Sequence, residues 1–217
     1  NYSVSSTRPA NLIKMKSLTF FGTSSGKPTS TRGVSSYALN LTQRTWIIDC
    51  GDGSQRQMMK AKTKLSRIST ILLTHLHGDH VFGLPGLLAT LSLAENPTGE
   101  VTLIGPKGVK EFIEVAMRIS ESYITYKLNI KELESNVVND LGIIDDMKVT
   151  AIPISHRVEC YGYHIKEPQR PGKLNASKAK ELGAKGKDFG VLKSGKDVTL
   201  SDGTVIKAAD VVGEVQE

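Results

Sequence analysis

Cysteine is nearly absent from this chain. Two residues in 217, Cys50 and Cys160, are too few for a disulfide framework, and Cys50 reads as a small buried hydrophobe. Long apolar runs are missing too: none approaches the ~20 residues that a membrane-spanning helix needs, and the N-terminus has no apolar signal-peptide core. These absences exclude a disulfide-stapled secreted scaffold and a helical membrane protein. They point to an intracellular, reducing setting, cytoplasmic or nuclear, with the mitochondrion also open. Histidine is scarce as well, with five residues and none beyond His164, so any clustering among them carries information.

Three of those five fall within six residues. The stretch Ile71 to His80, ILLTHLHGDH, opens as a buried strand and then places His75, His77, Asp79 and His80 in quick succession. On a strand, side chains at i and i+2 share a face, so His75 and His77 are expected to converge on one metal. Gly78 permits a sharp turn that would carry Asp79 and His80 toward a second. Imidazole and carboxylate suit zinc, and two ions served by one loop is an arrangement of two-metal hydrolases.

The H-x-H-x-D-H pattern resembles the metallo-β-lactamase superfamily, and the surrounding residues resemble its ribonuclease Z family. Phe21-Gly22-Thr23, Ile48-Asp49-Cys50-Gly51 with Ser54-Gln55, Gly78 through Leu88, and Gly105-Pro106-Lys107-Gly108 look like that family's landmarks in order. The resemblance spans about Lys16 to Glu214. It implies an α+β fold, the metallo-β-lactamase-like αββα sandwich. It also implies a zinc-dependent endoribonuclease that removes 3′ trailers from precursor tRNA, working as a homodimer with two zinc ions per site.

The local patterns fit that frame. Asn1 to Lys14 is polar and irregular, and is expected to be a disordered extension, an expression remnant or a transit-peptide scrap, with Met15 a natural start of the folded part. Strands are expected at 17–21, 35–41 and 45–49, separated by Gly- and Ser-rich turns, then a helix over 54–61. A helix over 82–95 follows, with Pro85 near its first turn, then a strand at 101–104 and an amphipathic helix over 109–119. Strands at 145–154 and 161–166 complete a core over 15–167. His156 follows the first of these two strands, and the resemblance assigns it to the metal held by His75 and His77. The same resemblance makes Asp79 both ligand and proton acceptor, gives His80 to the second metal, and has Asp49 orient the ligands without touching the metal.

Two regions are candidates for RNA contact. The loop from Gly22 to Gly33 is rich in glycine and hydroxyls. By resemblance it stands where ribonuclease Z carries a P-x-K-x-R-N loop that reads the acceptor end of tRNA. Pro28 and Arg32 match, whereas Ser30 and Gly33 replace the Lys and Asn, and Arg32 retains the planar fork that clamps a phosphate. The second region, 168–196, sets eight cations against only Glu181 and Asp188, a net +6 that equals the charge of the whole chain. By resemblance it is a basic flexible arm inserted in the core. Arg170, Lys173, Lys185, Lys187 and Lys193 would contact phosphates without reading bases. Residues 197–217, with Asp202-Gly203 at a turn, are expected to form a return hairpin to the core.

The family pattern also includes a bridging Asp in a strand-end S-G-D motif and one further His, and neither is present in these 217 residues. The chain therefore looks like a truncated form in which the second metal would be weakly held or absent and one face of the sandwich would be left apolar and open. Alternatives at this level are a non-catalytic tRNA-binding or dimer-partner fragment, and another hydrolase of the same fold.

Overall fold

A computed structural model describes residues 15–93, 99–167 and 172–213. The expected N-terminal extension, the end of the helix expected over 82–95, and Arg170 lie outside them. The chain divides into two compact units, 1–167 and 168–217.

The first unit is built on a six-stranded sheet in the sequential order β1 (Met15–Gly22), β2 (Ser36–Leu41), β3 (Thr45–Cys50), β4 (Ile68–Leu72), β5 (Glu100–Gly105) and β6 (Lys127–Glu132). The first three strands pair antiparallel and the rest parallel. Crossovers carry helices: α1 (Ser54–Lys60) after β3, the single turn α2 (Gly78–Val81) and α3 (Leu84–Leu93) after β4, and α4 (Val109–Ile119) after β5. Both faces of this sheet are covered, so its central strands read as nearly continuous burial rather than alternation. On one face Ile47, Ile71 and Leu103 pack with Met58, Leu87, Leu88 and Ile113 of the helices. On the other, Trp46, Leu72 and Ile104 meet Met147, Val149 and Tyr161 of a second, antiparallel sheet, formed by β7 (Asn139–Ile144), β8 (Met147–Pro153) and β9 (Tyr161–Lys166). Helices, sheet and sheet are three layers of an αββα sandwich.

The outer face of the second sheet corrects one expectation. Ile143 and Ile152 are exposed there, but Ile143 sits opposite Lys148, which sits opposite Lys166, and His164 is opposite Thr150. The face is mixed rather than apolar.

The second unit holds α5 (Ala176–Glu181), α6 (Asp188–Lys193), the two-residue strands β10 (Val198–Thr199) and β11 (Val205–Ile206), and α7 (Ala208–Val211). Ala179, Ala184, Leu192, Val198, Ile206, Ala208 and Val211 form its own small core. Asn175 caps α5 by accepting the Lys178 N–H at 3.0 Å. The segment expected to be a flexible arm thus contains two helices, because Phe189 and Leu192 have apolar partners to pack against. The hairpin around Asp202-Gly203 is present, and it packs Val198 and Ile206 into this local core.

Candidate metal centre

The parallel strands β3, β4 and β5 end at the same edge, and the site is assembled from the segments that leave it, where open α/β sheets commonly bind ligands. β4 closes at Leu72, so His75 and His77 are on the loop that follows rather than on a strand as expected. That loop remains extended because others hold it. Leu73 N–H donates to Ile104 O at 2.8 Å and Tyr161 N–H to Thr74 O at 2.9 Å, while the Tyr163 hydroxyl donates to Leu73 O at 2.8 Å. Two glycines let the backbones meet. A Cβ on Gly51 would lie 2.1 Å from Asp79 O, and one on Gly83 would lie 2.2 Å from Gly51 O. Any side chain at either position would force the end of β3 away from α2.

His75, His77 and His156 converge, their ligand nitrogens all within 4.8 Å of one another. His156 arrives on the loop after β8, closed by Ile154 N–H donating to Cys160 O at 2.9 Å. Its Nε2 lies 3.3 Å from His77 Nδ1. Two Zn–N bonds of about 2.0–2.1 Å meeting at a tetrahedral angle hold their nitrogens roughly 3.3–3.4 Å apart, so the approach of these two ring nitrogens fits a shared ion. The triad can hold a metal.

Asp79 and His80 sit beside it, with His80 Nε2 3.6 Å from Asp79 Oδ2 and the His75 and His80 rings 4.0 Å apart between centroids. Asp49, buried and in the left-handed backbone region at φ 57°, anchors the whole group. It accepts the Thr74 N–H at 2.8 Å and the Thr74 hydroxyl at 2.9 Å, and its Oδ2 lies 2.7 Å from His80 Nδ1. Thr74 Oγ1 in turn lies 2.9 Å from His75 Nδ1. With the hydroxyl donating to the carboxylate, both Nδ1–H groups are donors, and the Nε2 lone pairs of His75 and His80 remain for a metal. Sequence reasoning missed Thr74, although it is the residue next to the cluster, and it missed Gly26, whose N–H donates to Asp79 Oδ2 at 2.7 Å. The signal for Gly26 is a backbone bond, which no residue type encodes.

Electrostatics suit ligation by His75, His77 and Asp79. Burial, followed by repulsion from His80, lowers His75 to about 4, and burial and Arg157 lower His77, so both are neutral near pH 7. Burial disfavours the charged form of Asp79, but the Gly26 N–H and His80 outweigh it and hold the carboxyl below its ordinary value. Burial likewise opposes His80, and the hydrogen bond to Asp49 raises it on balance.

A cavity of about 380 Å³ opens beside His77 and Asp79, lined also by Gly26, Pro28, Phe82 and Arg157. Arg32 lies on the same loop as Gly26 but lines a neighbouring cavity, its guanidinium donating to Thr23 Oγ1 at 3.3 Å. Lys173, Lys185, Lys187 and Lys193 are exposed on the second unit.

Comparison with known proteins gives a consistent set. A family described as Anti-Pycsar protein Apyc1 matches residues 16–159. Ribonuclease BN of Citrobacter koseri is 46% identical over 198 residues, covering 89% of this chain and 64% of the relative. Ribonuclease BN of Cronobacter sakazakii is 45% identical over 197 residues at the same coverage. The chain thus spans 64% of the length of these curated relatives. The crystal structure of human tRNase Z, short form, superposes with a TM-score of 0.65 at 33% identity, covering 70% of this chain and 66% of that one. The metallo-β-lactamase fold protein YhfI of Bacillus subtilis, at TM-score 0.53 and 18% identity over 69% of this chain and 58% of its own, shares the fold. No helix among the described residues is long and apolar enough to cross a membrane. These curated relatives are bacterial, which lends the nuclear and mitochondrial readings no support.

Proposed function

We propose that this chain, which belongs to the ribonuclease Z-like metallo-β-lactamase-fold proteins and, over residues 16–159, to the Anti-Pycsar protein Apyc1 family, carries the metal centre of an endoribonuclease that trims 3′ trailers from precursor tRNA. The observation that carries the reading is the convergence of His75, His77 and His156 next to Asp79 and His80. Relatives named Ribonuclease BN and tRNase Z support RNA as the substrate class.

In this reading the three imidazoles hold zinc, and Asp79 and His80 offer two donors for a second ion. Bound zinc supplies a Lewis acid that acidifies water and neutralises charge developing on the phosphate. Asp79, kept ionised by Gly26 and His80, accepts the proton of the attacking water. Asp49 works through Thr74 and His80 to fix ring orientation. Arg32 clamps a phosphate of the acceptor end, the lysines at 173, 185, 187 and 193, with Arg170, grip phosphates remote from the cut, and the active species is a homodimer. Asp79→Ala is expected to abolish cleavage of a 3′-extended tRNA, with binding measured by filter retention nearly unchanged. Loss of binding with cleavage per bound complex intact would refute that role.

One observation favours a second reading. Among the described residues Asp79 and His80 are the donors beside the triad, and a second ion held by those two alone would be weak, which favours a chain that binds tRNA, or pairs with a complete subunit, without cutting. Two zinc ions per chain together with cleavage would eliminate it.

A further inference from the structure

The parallel strands have a second end, opposite to the edge that carries the histidines. There a cavity of about 270 Å³ is walled by the first residues of β4 and β5 and by the turns that lead into β3 and β8. Thr70 pairs with Trp46 and Thr102 across the ladder, and alternation along the strands puts it on the face where Leu72 and Ile104 meet the second sheet. The register shift beside it skips Ser69, and such an irregularity re-aims a side chain. The Ser69 hydroxyl accordingly donates to Asp145 Oδ2 at 2.6 Å, the carboxylate oxygen that also takes the Trp46 indole N–H.

Thr70 lines this cavity while only 1% exposed, and its hydroxyl has no hydrogen-bond partner among the described residues. A buried polar group in that state calls for one. Arg44 brings Nε to 3.8 Å from Asp145 Oδ1, a loose pair that leaves the terminal nitrogens of its fork for another acceptor. Hydrogen bonding from Lys127 and Asn129 holds the Glu100 carboxyl below its ordinary value, so it is ionised near pH 7. The lining thus sets a cationic fork and a hydroxyl against carboxylates. A simple anion would meet Glu100 and Asp145, and a simple cation would meet Arg44, whereas a molecule carrying both charges satisfies each set.

We propose that this cavity binds a small zwitterion of the α-amino-acid class, its carboxylate on Arg44 and the Thr70 hydroxyl and its ammonium on Glu100. Asp145 holds the guanidinium in place, and Ile144 gives the ligand side chain an apolar contact. The volume is just below the ~300–1,000 Å³ of drug-sized ligand pockets, which suits a side chain as short as that of serine or alanine. The site is built from the end of the sheet remote from the histidines, so its occupant binds with or without a metal there and stabilises the folded chain by linkage.

The test is calorimetric titration of the full chain with L-serine and L-alanine, alongside acetate, ethylamine and ribose. The two amino acids are expected to bind saturably at millimolar concentration and to raise the melting temperature, and the singly charged and uncharged probes to bind far more weakly. Arg44→Ala should weaken L-serine binding at least about tenfold, the loss expected for a charge-assisted contact, while the exposed pair it breaks contributes little to folding. Arg44→Lys, which keeps the charge without the fork, should recover only part of the affinity. Thr70→Val keeps the shape, and should weaken binding without lowering the melting temperature of the unliganded protein. Amino acids also chelate zinc, so the titration is repeated on His156→Ala: binding at this cavity persists there, and binding through the histidines is lost. No saturable amino-acid binding, equal affinity in Arg44→Ala and the wild type, loss of binding in His156→Ala, or binding of ribose or acetate as tight as that of serine would each overturn the proposal.

Discussion

Asp49 shows how much rests on a single side chain. A non-glycine residue at φ 57° is uncommon and is tolerated where its surroundings over-determine it. Here the carboxylate meets the Thr74 backbone and hydroxyl and His80 Nδ1. Removing such an orienting group from a metal site commonly costs 10–100-fold in affinity. Asp49→Ala is therefore expected to weaken zinc binding by that factor in a titration against a chelating dye, and an unchanged affinity would refute its role. The residue types of the site were readable in advance, because His75, His77, Asp79 and His80 are too dense for a chain with five histidines, and His156 follows a strand. Thr74, Gly26 and Arg157 were not, since they act through a neighbour's ring, a backbone N–H and the wall of a cavity.

Among the elements, α4 and β9 have the bounds that their apolar spacing predicts, and β1, β2, β3 and α1 agree to within two residues at each end. β6 and β7 were missed. β6 alternates Leu128 and Ile130 with Lys and Asn, which favour strands weakly, and it forms at the sheet edge through parallel pairing with β5. β7 is interrupted by a register shift between Asp140 and Gly142 that breaks its period. The two sheets are joined by a polar contact at the turn between β7 and β8, where Asp145 accepts the Trp46 indole N–H at 2.8 Å and the Ser69 hydroxyl at 2.6 Å. Trp46 is fully buried, and an unmet buried donor costs about 1–3 kcal/mol. Asp145→Ala should lower unfolding free energy by that amount in urea denaturation, whereas Asp145→Asn, which keeps an acceptor, should lose less. Equal losses would contradict the contact as described.

At the scale of the molecule, buried neutral acids make stability depend on alkaline pH. Burial pushes the Cys50 thiol from 9.0 up to about 12, and burial likewise raises Tyr126 and Tyr163. In the unfolded chain these groups ionise first, so above about pH 9 the unfolded state holds fewer protons than the folded one and unfolding free energy falls as pH rises. Thermal melts of the protein should hold their midpoint up to about pH 8.5 and decline from about pH 9 toward 12, and Cys50→Ala should shallow the decline. The candidate metal centre is likewise a property of the whole first unit, for the three imidazoles that could hold a metal, at residues 75, 77 and 156, meet only when both sheets are packed. The most direct measurement is zinc content by mass spectrometry after equilibrium dialysis of the protein and of His156→Ala. The wild-type chain should retain at least one zinc, with a melting temperature that rises with zinc concentration, and the variant should lose that ion and the rise. Retention of no zinc by the wild type, or equal retention by His156→Ala, would contradict the central claim that these three imidazoles share a metal.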